Sequence, residues 1–168
     1  MTAAEIILAL VTLQRAGELV VARRNTRHLM AHGAVEIAAG HYPLVVAVHA
    51  GWLISLWLFG REQPVNAIAL AAYLALQGLR GWVFWTLGAR WTTRIVVVPG
   101  EMLVAAGPYR YLSHPNYAIV IAEIAVLPLV FYLPWLAAIF TVFNAAALTI
   151  RIRAENRALA ASRQTAAS

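Results

Sequence analysis

The sequence predicts an all-α fold: a polytopic integral membrane helical bundle of about five transmembrane helices. The chain has 168 residues, 62% of them hydrophobic, and a mean hydropathy of +0.71, which is the range of membrane proteins and not of soluble cores. Its apolar runs are close to spanning length, and its charged residues gather in the segments between them. At this length a single membrane domain is expected over residues 1–168.

The first span is placed over Ala3–Ala22, about the 20 residues a bilayer requires. It carries Gln14, Arg15 and Glu18, and the spacing of three puts Arg15 and Glu18 on one helix face as a pair. Arg23-Arg24-Asn25-Thr26-Arg27-His28 reads as the basic stop of a cytoplasmic flank, and residues 28–40 as a short interfacial helix. Span two is residues 43–60. After the nearly neutral turn Arg61-Glu62-Gln63-Pro64, span three follows at 65–87 with Gln77 and Arg80 inside it. Residues 88–112 form the longest loop, and the β-branched run Ile95–Val98 reads there as extended chain without a partner strand.

From Tyr117 to Ile150 the chain is apolar apart from Glu123 and Asn144. One helix of that length would measure about 51 Å, against a hydrocarbon core of about 30 Å. Pro128 and Pro134 break it into spans 117–132 and 135–150, and a basic helical tail begins at Arg151. Positive charge thus follows spans one, three and five, which orients the N-terminus outside and the C-terminus in the cytosol. No cleavable leader is expected, because Arg15, the first basic residue, already lies inside the first apolar run.

The net charge of +6 comes from arginines dispersed between spans, not from one patch, so nucleic acid is not an expected partner. The chain has no cysteine, which excludes disulfides and thiolate metal sites. Its five histidines are scattered; His28 and His32 have a usable ligand spacing, but a di-iron site needs more, and no metal is expected.

The densest polar and aromatic cluster is Gly107-Pro108-Tyr109-Arg110-Tyr111 followed by Ser113-His114-Pro115-Asn116-Tyr117. Gly107-Pro108 dictates a turn, and Pro115 suits the first turn of a helix. These two motifs resemble the signature of the isoprenylcysteine carboxyl methyltransferase family, integral membrane enzymes that use S-adenosylmethionine. The similarity extends to Arg151-Ile152-Arg153-Ala154-Glu155-Asn156, where Glu155 matches the first residue of an acidic pair and Asn156 stands in place of the second. Many relatives also carry arginine where this chain has Ser113. Within the family the chain looks most like a bacterial branch tied to O-methylation of alkylpyrone-type polyketides.

The resemblance implies a cofactor region at residues 88–117 and 151–160, on the cytosolic side of a bacterial inner membrane. It implies that Gly107, Pro108, Tyr109, Tyr111, His114, Pro115, Tyr117 and Glu155 enclose S-adenosylmethionine. Glu155 suits the cofactor's ammonium and tyrosine faces suit its sulfonium, although Glu155 also fits a plain helical pair with Arg151. The acceptor it implies is a lipophilic small molecule with an acidic oxygen, a carboxylate or an enol.

Arg110 and Arg94, at the interface, are candidates to orient that oxygen, and equally ordinary membrane anchors. Arg80 and Glu123 are the charges deepest in the spans; they either clamp each other or line the acceptor pocket, Glu123 then with a catalytic part. A non-enzymatic bundle or transporter using Arg80 and Glu123 as a pathway pair is the alternative, and it leaves the Gly107–Tyr117 cluster without a role.

Overall fold

The computed structural model describes residues 1–37, 40, 42–98 and 104–166, with side chains as far as residue 153. Five helices dominate: α1 (Ala3–Ala31), α2 (Tyr42–Gly60), α3 (Ala67–Leu87), α4 (Pro115–Val130) and α5 (Pro134–Ala166). The chain is an all-α polytopic membrane protein. Helices α2, α3 and α5 are long and apolar enough to cross a bilayer. Helix α1 has the length but carries Arg15 and Glu18, and α4 is apolar but only 16 residues long. Leu13, Leu58, Ile68, Trp85 and Val142 are exposed, as lipid-facing residues should be.

Helix α1 starts on a capping box, in which Thr2 Oγ1 accepts from the Glu5 N–H and the Glu5 carboxylate accepts from the Thr2 N–H. It then continues to Ala31, so the basic run after Ala22 is helical and residues 28–31, expected in a separate interfacial helix, belong to α1; part of the rest of that expected helix, Ala38 and Ala39, lies outside the described residues. Arginine is a good helix former, and a charge that ends a membrane crossing does not end a helix. The helix stops at Gly33, whose φ of +86° most residues avoid.

Next comes β1 (Val35–Glu36), which pairs antiparallel with β2 (Val96–Val97) in the register Val35↔Val97. Ile95–Val98 therefore does have a partner strand, contrary to the expectation from its sequence. The ladder is two residues long and joins segments some sixty positions apart, so no local periodicity announces it. Glu36 holds it from the side: both its oxygens accept from Arg94 Nη1 at 2.8 Å.

Contacts at the two ends set the direction of each helix. The Thr2 hydroxyl donates to the Arg61 carbonyl, and the Asn66 N–H to the Val130 carbonyl. At the opposite end, Asn25 Nδ2 donates to the carbonyls of Gly88 and Trp91, and Arg151 reaches Tyr117. The helices thus alternate up and down. The connections α1–α2 and α3–α4, and the C-terminal part of α5, all emerge at one end.

The main core packs all five helices through Leu8, Val11, Trp52, Leu56, Tyr73, Ile124, Leu127, Phe131 and Leu136. Helix α4 supplies buried residues on most of its circumference. Pro128, in its last turn, has no N–H for the Ile124 carbonyl four residues earlier. The Trp52 indole N–H donates to that carbonyl at 3.3 Å instead. The chain then turns through Tyr132, at a φ of +54°, into Pro134 and α5.

Candidate functional site

The Gly107-Pro108-Tyr109-Arg110 segment forms a 3-10 turn that sits on the last turns of α3. Gly107 has a φ of +54°, and a Cβ there would collide with the Thr86 hydroxyl and come within 3.2 Å of Trp82 Nε1. Only glycine fits, both by conformation and by space. Pro108 is buried. Tyr109 packs with Phe84 and Leu87 on a second core cluster of Ala22, Val83, Trp91 and Ile119, which closes this end of the bundle. Arg110 and Tyr111 point outward, Tyr111 with 76% of its surface exposed.

His114 is the N-cap of α4 and Pro115 its first helical residue, as the sequence led one to expect. The ring of His114 stacks on that of Tyr117, with centroids 5.3 Å apart and planes 20° from parallel. On Tyr117 also lies Arg151 of α5: its Nε donates to the Tyr117 hydroxyl at 2.9 Å, and its Cζ is 5.4 Å from the ring centroid. Arg151 is 7% exposed. The start of α4 and the tail of α5 therefore meet in one stack, His114–Tyr117–Arg151. In the same first turn of α4, Asn116 Oδ1 is buried and has no hydrogen-bond partner among the described residues. Glu155 lies one helical turn beyond Arg151 in α5, and its side chain is outside the described residues.

Glu123 and Arg80 lie deeper. Glu123 is nine residues past His114 on a continuous helix, about 13 Å along the axis. It is 1% exposed and accepts from Arg15 Nη2 at 2.9 Å, Arg80 Nη1 at 2.8 Å and Gln77 Nε2 at 2.8 Å. Glu18 completes the group, taking Arg15 Nη1 at 3.1 Å, both Nε and Nη2 of Arg80, and Gln14 Nε2 at 2.9 Å. Two guanidinium groups and two carboxylates thus join α1, α3 and α4 in a closed network of zero net formal charge. Charged groups at this depth are tolerated where each finds its counter-ion. Arg15 Nε is buried there without a partner among the described residues.

Arg94 is grouped with neither set; it is held by Glu36, and its guanidinium lies 4.6 Å from the Tyr42 ring centroid. Among the described residues Arg110 makes no hydrogen bond or ion pair, so of these two arginines it is the one open to a ligand. His28 and His32 lie with ring centroids 4.4 Å apart, and among the described residues no group of three or more His, Cys, Asp or Glu is placed to hold a metal.

Sequence reasoning passed over Arg151 and Asn116 as site residues, and did not connect Arg15 and Glu18 to Arg80 and Glu123. The spacing of four between Arg151 and Glu155 was a usable signal for the first. The second needed contacts between positions more than 40 apart in the chain, which one sequence does not display.

Two grooves flank α3. An apolar one of about 380 Å³ is lined by Leu76, Leu79 and Trp82 of α3, Pro108, Tyr111 and Leu112 of the turn, and the start of α4. A second, open one of about 270 Å³ is lined by Gln14 and Glu18 of α1 and by Gln77, Arg80, Gly81 and Phe84 of α3.

The Isoprenylcysteine carboxyl methyltransferase (ICMT) family profile matches residues 67–161, from the start of α3 into the tail of α5. A Bacillus subtilis protein described as "Uncharacterized protein YpbQ" is 41% identical over 160 residues, covering 92% of this chain and 95% of that one. A Haemophilus influenzae protein described as "Uncharacterized protein" is 22% identical over 147 residues, 84% of this chain and 86% of its own. No solved structure matches. With more than half its length inside the family profile, every motif of the helix-end cluster among those residues, the chain belongs to the isoprenylcysteine carboxyl methyltransferase family of integral membrane methyltransferases.

Proposed function

We propose that the protein transfers a methyl group from S-adenosylmethionine to an acidic oxygen, carboxylate or enol, of a lipophilic small molecule. The observation that carries the reading is the family match over residues 67–161, which takes in both the Gly107–Tyr117 segment and the tail that packs on it. The cofactor supplies an electrophilic methyl on a sulfonium; an acceptor that arrives as an anion needs no strong base, and positioning provides much of the rate.

The residues present suit such a cofactor. Buried Asn116 Oδ1 has no donor among the described residues, and an ammonium or amino group would supply one. The rings of Tyr109, Tyr111 and Tyr117 suit a sulfonium, and Glu155, one turn past Arg151, suits the ammonium. In this reading Gly107, Pro108, His114 and Pro115 hold the backbone of the pocket, and Arg151 is a positioning residue that fixes the Tyr117 ring.

Arg110 meets the acceptor's acidic oxygen, and the apolar groove beside Tyr111 takes its hydrocarbon part. Arg80 and Glu123 act from beneath as part of the ion network, and Arg94 braces the connecting strands. The basic ends of α1, α3 and α5 favour a cytosolic location for this end of the bundle and an outer N-terminus. In a bacterium that is the inner membrane. An alkylpyrone-type polyketide is the acceptor the branch resemblance favours.

The test is calorimetric titration of S-adenosylmethionine or S-adenosylhomocysteine into detergent-purified protein, comparing wild type with His114→Ala and Glu155→Ala. Micromolar binding lost in both folded variants is the expected result. A well-folded wild type that binds neither compound overturns the reading.

A further inference from the structure

Helix α1 carries an exposed face that has no part in the methyl-transfer reading. Ile6, Leu13, Val20, Arg24 and Arg27 fall within an arc of about 60° on a helix that turns about 100° per residue. All five are exposed. The stripe is apolar as far as Val20 and basic from Arg24 onward, and exposed Arg23 borders its basic part. The opposite side of the same turns is fixed to the bundle. Ala22 is buried in the second core cluster, and Asn25 Nδ2 donates to the carbonyls of Gly88 and Trp91. The arginines are therefore held facing outward.

Their depth follows from the length of the helix. The 29 residues of α1 measure about 43 Å, some 13 Å more than the hydrocarbon core. That excess is about nine residues, and nine residues counted back from Ala31 begin at Arg23. Ile6, Leu13 and Val20 thus lie against acyl chains, while Arg23, Arg24 and Arg27 lie at the level of the head groups.

No described carboxylate answers these arginines. Glu18 and Glu123 are taken by Arg15 and Arg80, and Glu36 by Arg94. Glu5 and Glu62 lie at the other end of the bundle. Among the described residues Arg24 and Arg27 make no hydrogen bond or ion pair. Three apart, they are neighbours on the helix surface, close enough for both to meet one phosphate. The guanidinium fork suits phosphate oxygens, and a juxtamembrane cluster of arginines attracts anionic head groups.

We propose that this face of α1 binds one anionic phospholipid of the leaflet it stands in, with Arg24 and Arg27 on the phosphate and an acyl chain along Val20, Leu13 and Ile6. The continuity of the apolar and basic parts on one stripe selects a lipid over a soluble polyanion. Occupancy does not depend on methyl transfer.

The test is native mass spectrometry of the detergent-purified full chain, titrated with dioleoylphosphatidylglycerol and with dioleoylphosphatidylcholine. The two share chains and a phosphate and differ in net charge. Wild type should bind the first phosphatidylglycerol at least tenfold more tightly than phosphatidylcholine, as one charge-assisted hydrogen bond provides. Glycerophosphoglycerol, the same head without chains, should not displace it at equal concentration. Arg24→Gln/Arg27→Gln places good helix formers at exposed positions, so it folds, and it should lose the preference at unchanged melting temperature in lipid-free detergent. Arg61→Gln, at the other end, should keep it. Equal binding of the two lipids by wild type overturns the proposal, as does a preference that survives in the double variant. Displacement by the chain-free head group overturns it in favour of a plain phosphate site. A lipid-free dimer that the double variant dissociates overturns it in favour of a second copy on this face.

Discussion

Removal of the Glu123 carboxylate is the sharpest test of the ion network. Glu123→Ala deletes three hydrogen bonds at once, from Arg15, Gln77 and Arg80. It leaves two buried guanidinium groups facing Glu18 as the remaining carboxylate of the network. Breaking a buried pair from one side costs about 3–5 kcal/mol, because the orphaned charge stays behind. Against a total stability of roughly 5–15 kcal/mol, that is a large share. Glu123→Gln keeps the shape and one acceptor oxygen but not the charge, and should cost about 2–3 kcal/mol, the value of a charge-assisted hydrogen bond.

The discriminating variant is Arg15→Met/Glu123→Met, which removes one charge of each sign and leaves the Arg80–Glu18 pair intact. Its cost should fall short of the sum of the two single changes by about 2 kcal/mol, as expected for directly contacting groups. Unfolding in mixed micelles with increasing dodecyl sulfate, followed by the fluorescence of the six tryptophans, reads all of these. Strict additivity would refute the network as a coupled unit. A Glu123→Ala protein within about 0.5 kcal/mol of wild type but inactive would refute it as well, and would move Glu123 to the reacting atoms.

Three further outcomes are expected. Trp52→Phe leaves the Ile124 carbonyl without the donor that Pro128 cannot provide, and should cost about 1–3 kcal/mol, with faster amide exchange in the last turn of α4 as the local reading. Gly107→Ala forces a side chain against Thr86 and Trp82 at a positive φ; it should loosen the turn, visible as new proteolytic cleavage near Tyr109, and weaken S-adenosylhomocysteine binding at least tenfold. Tyr132→Gly relieves the φ of +54° in an exposed turn residue and should raise stability by about 1 kcal/mol in the same micelle titration, provided the ring contributes little packing, as its 56% exposure indicates.

The fold class was legible because hydropathy and proline are strong signals: two prolines divided a 34-residue apolar run, and the chain turns between them at residues 131–133. The turn at Gly107 and the helix start at Pro115 were legible for the same reason, since each residue restricts its own backbone. What escaped is what depends on partners far along the chain. The continuation of α1 to Ala31 was hidden because a basic run marks where a membrane crossing ends, while exposed arginines carry the helix on into water. The pairing of Val35–Glu36 with Val96–Val97 was hidden because two residues have no period. Arg94 looked like an interfacial cation from its sequence surroundings, and Glu36, 58 positions away, together with the Tyr42 ring gives it a fixed place.

The two halves of the site are linked through one helix. Thr86 and Trp82 of α3 seat the Gly107 turn, while Gln77 and Arg80 of the same helix hold α1 and α4 through the ion network. From Arg80 to Thr86 is six residues, about 9 Å of unbroken helix, too short and too well packed at Val83 to absorb a displacement. A change in the network therefore moves the platform on which the turn rests. This gives the buried charges a function that their stability cost alone does not explain, because an apolar core would hold three helices together at least as firmly. Paired guanidinium and carboxylate groups instead fix register: a slip of one residue along α3 rotates its side chains by 100° and breaks several of these hydrogen bonds together. In the methyl-transfer reading, substitutions at Arg80 lower cofactor affinity without touching the cofactor, and they do so in proportion to the network contacts they remove.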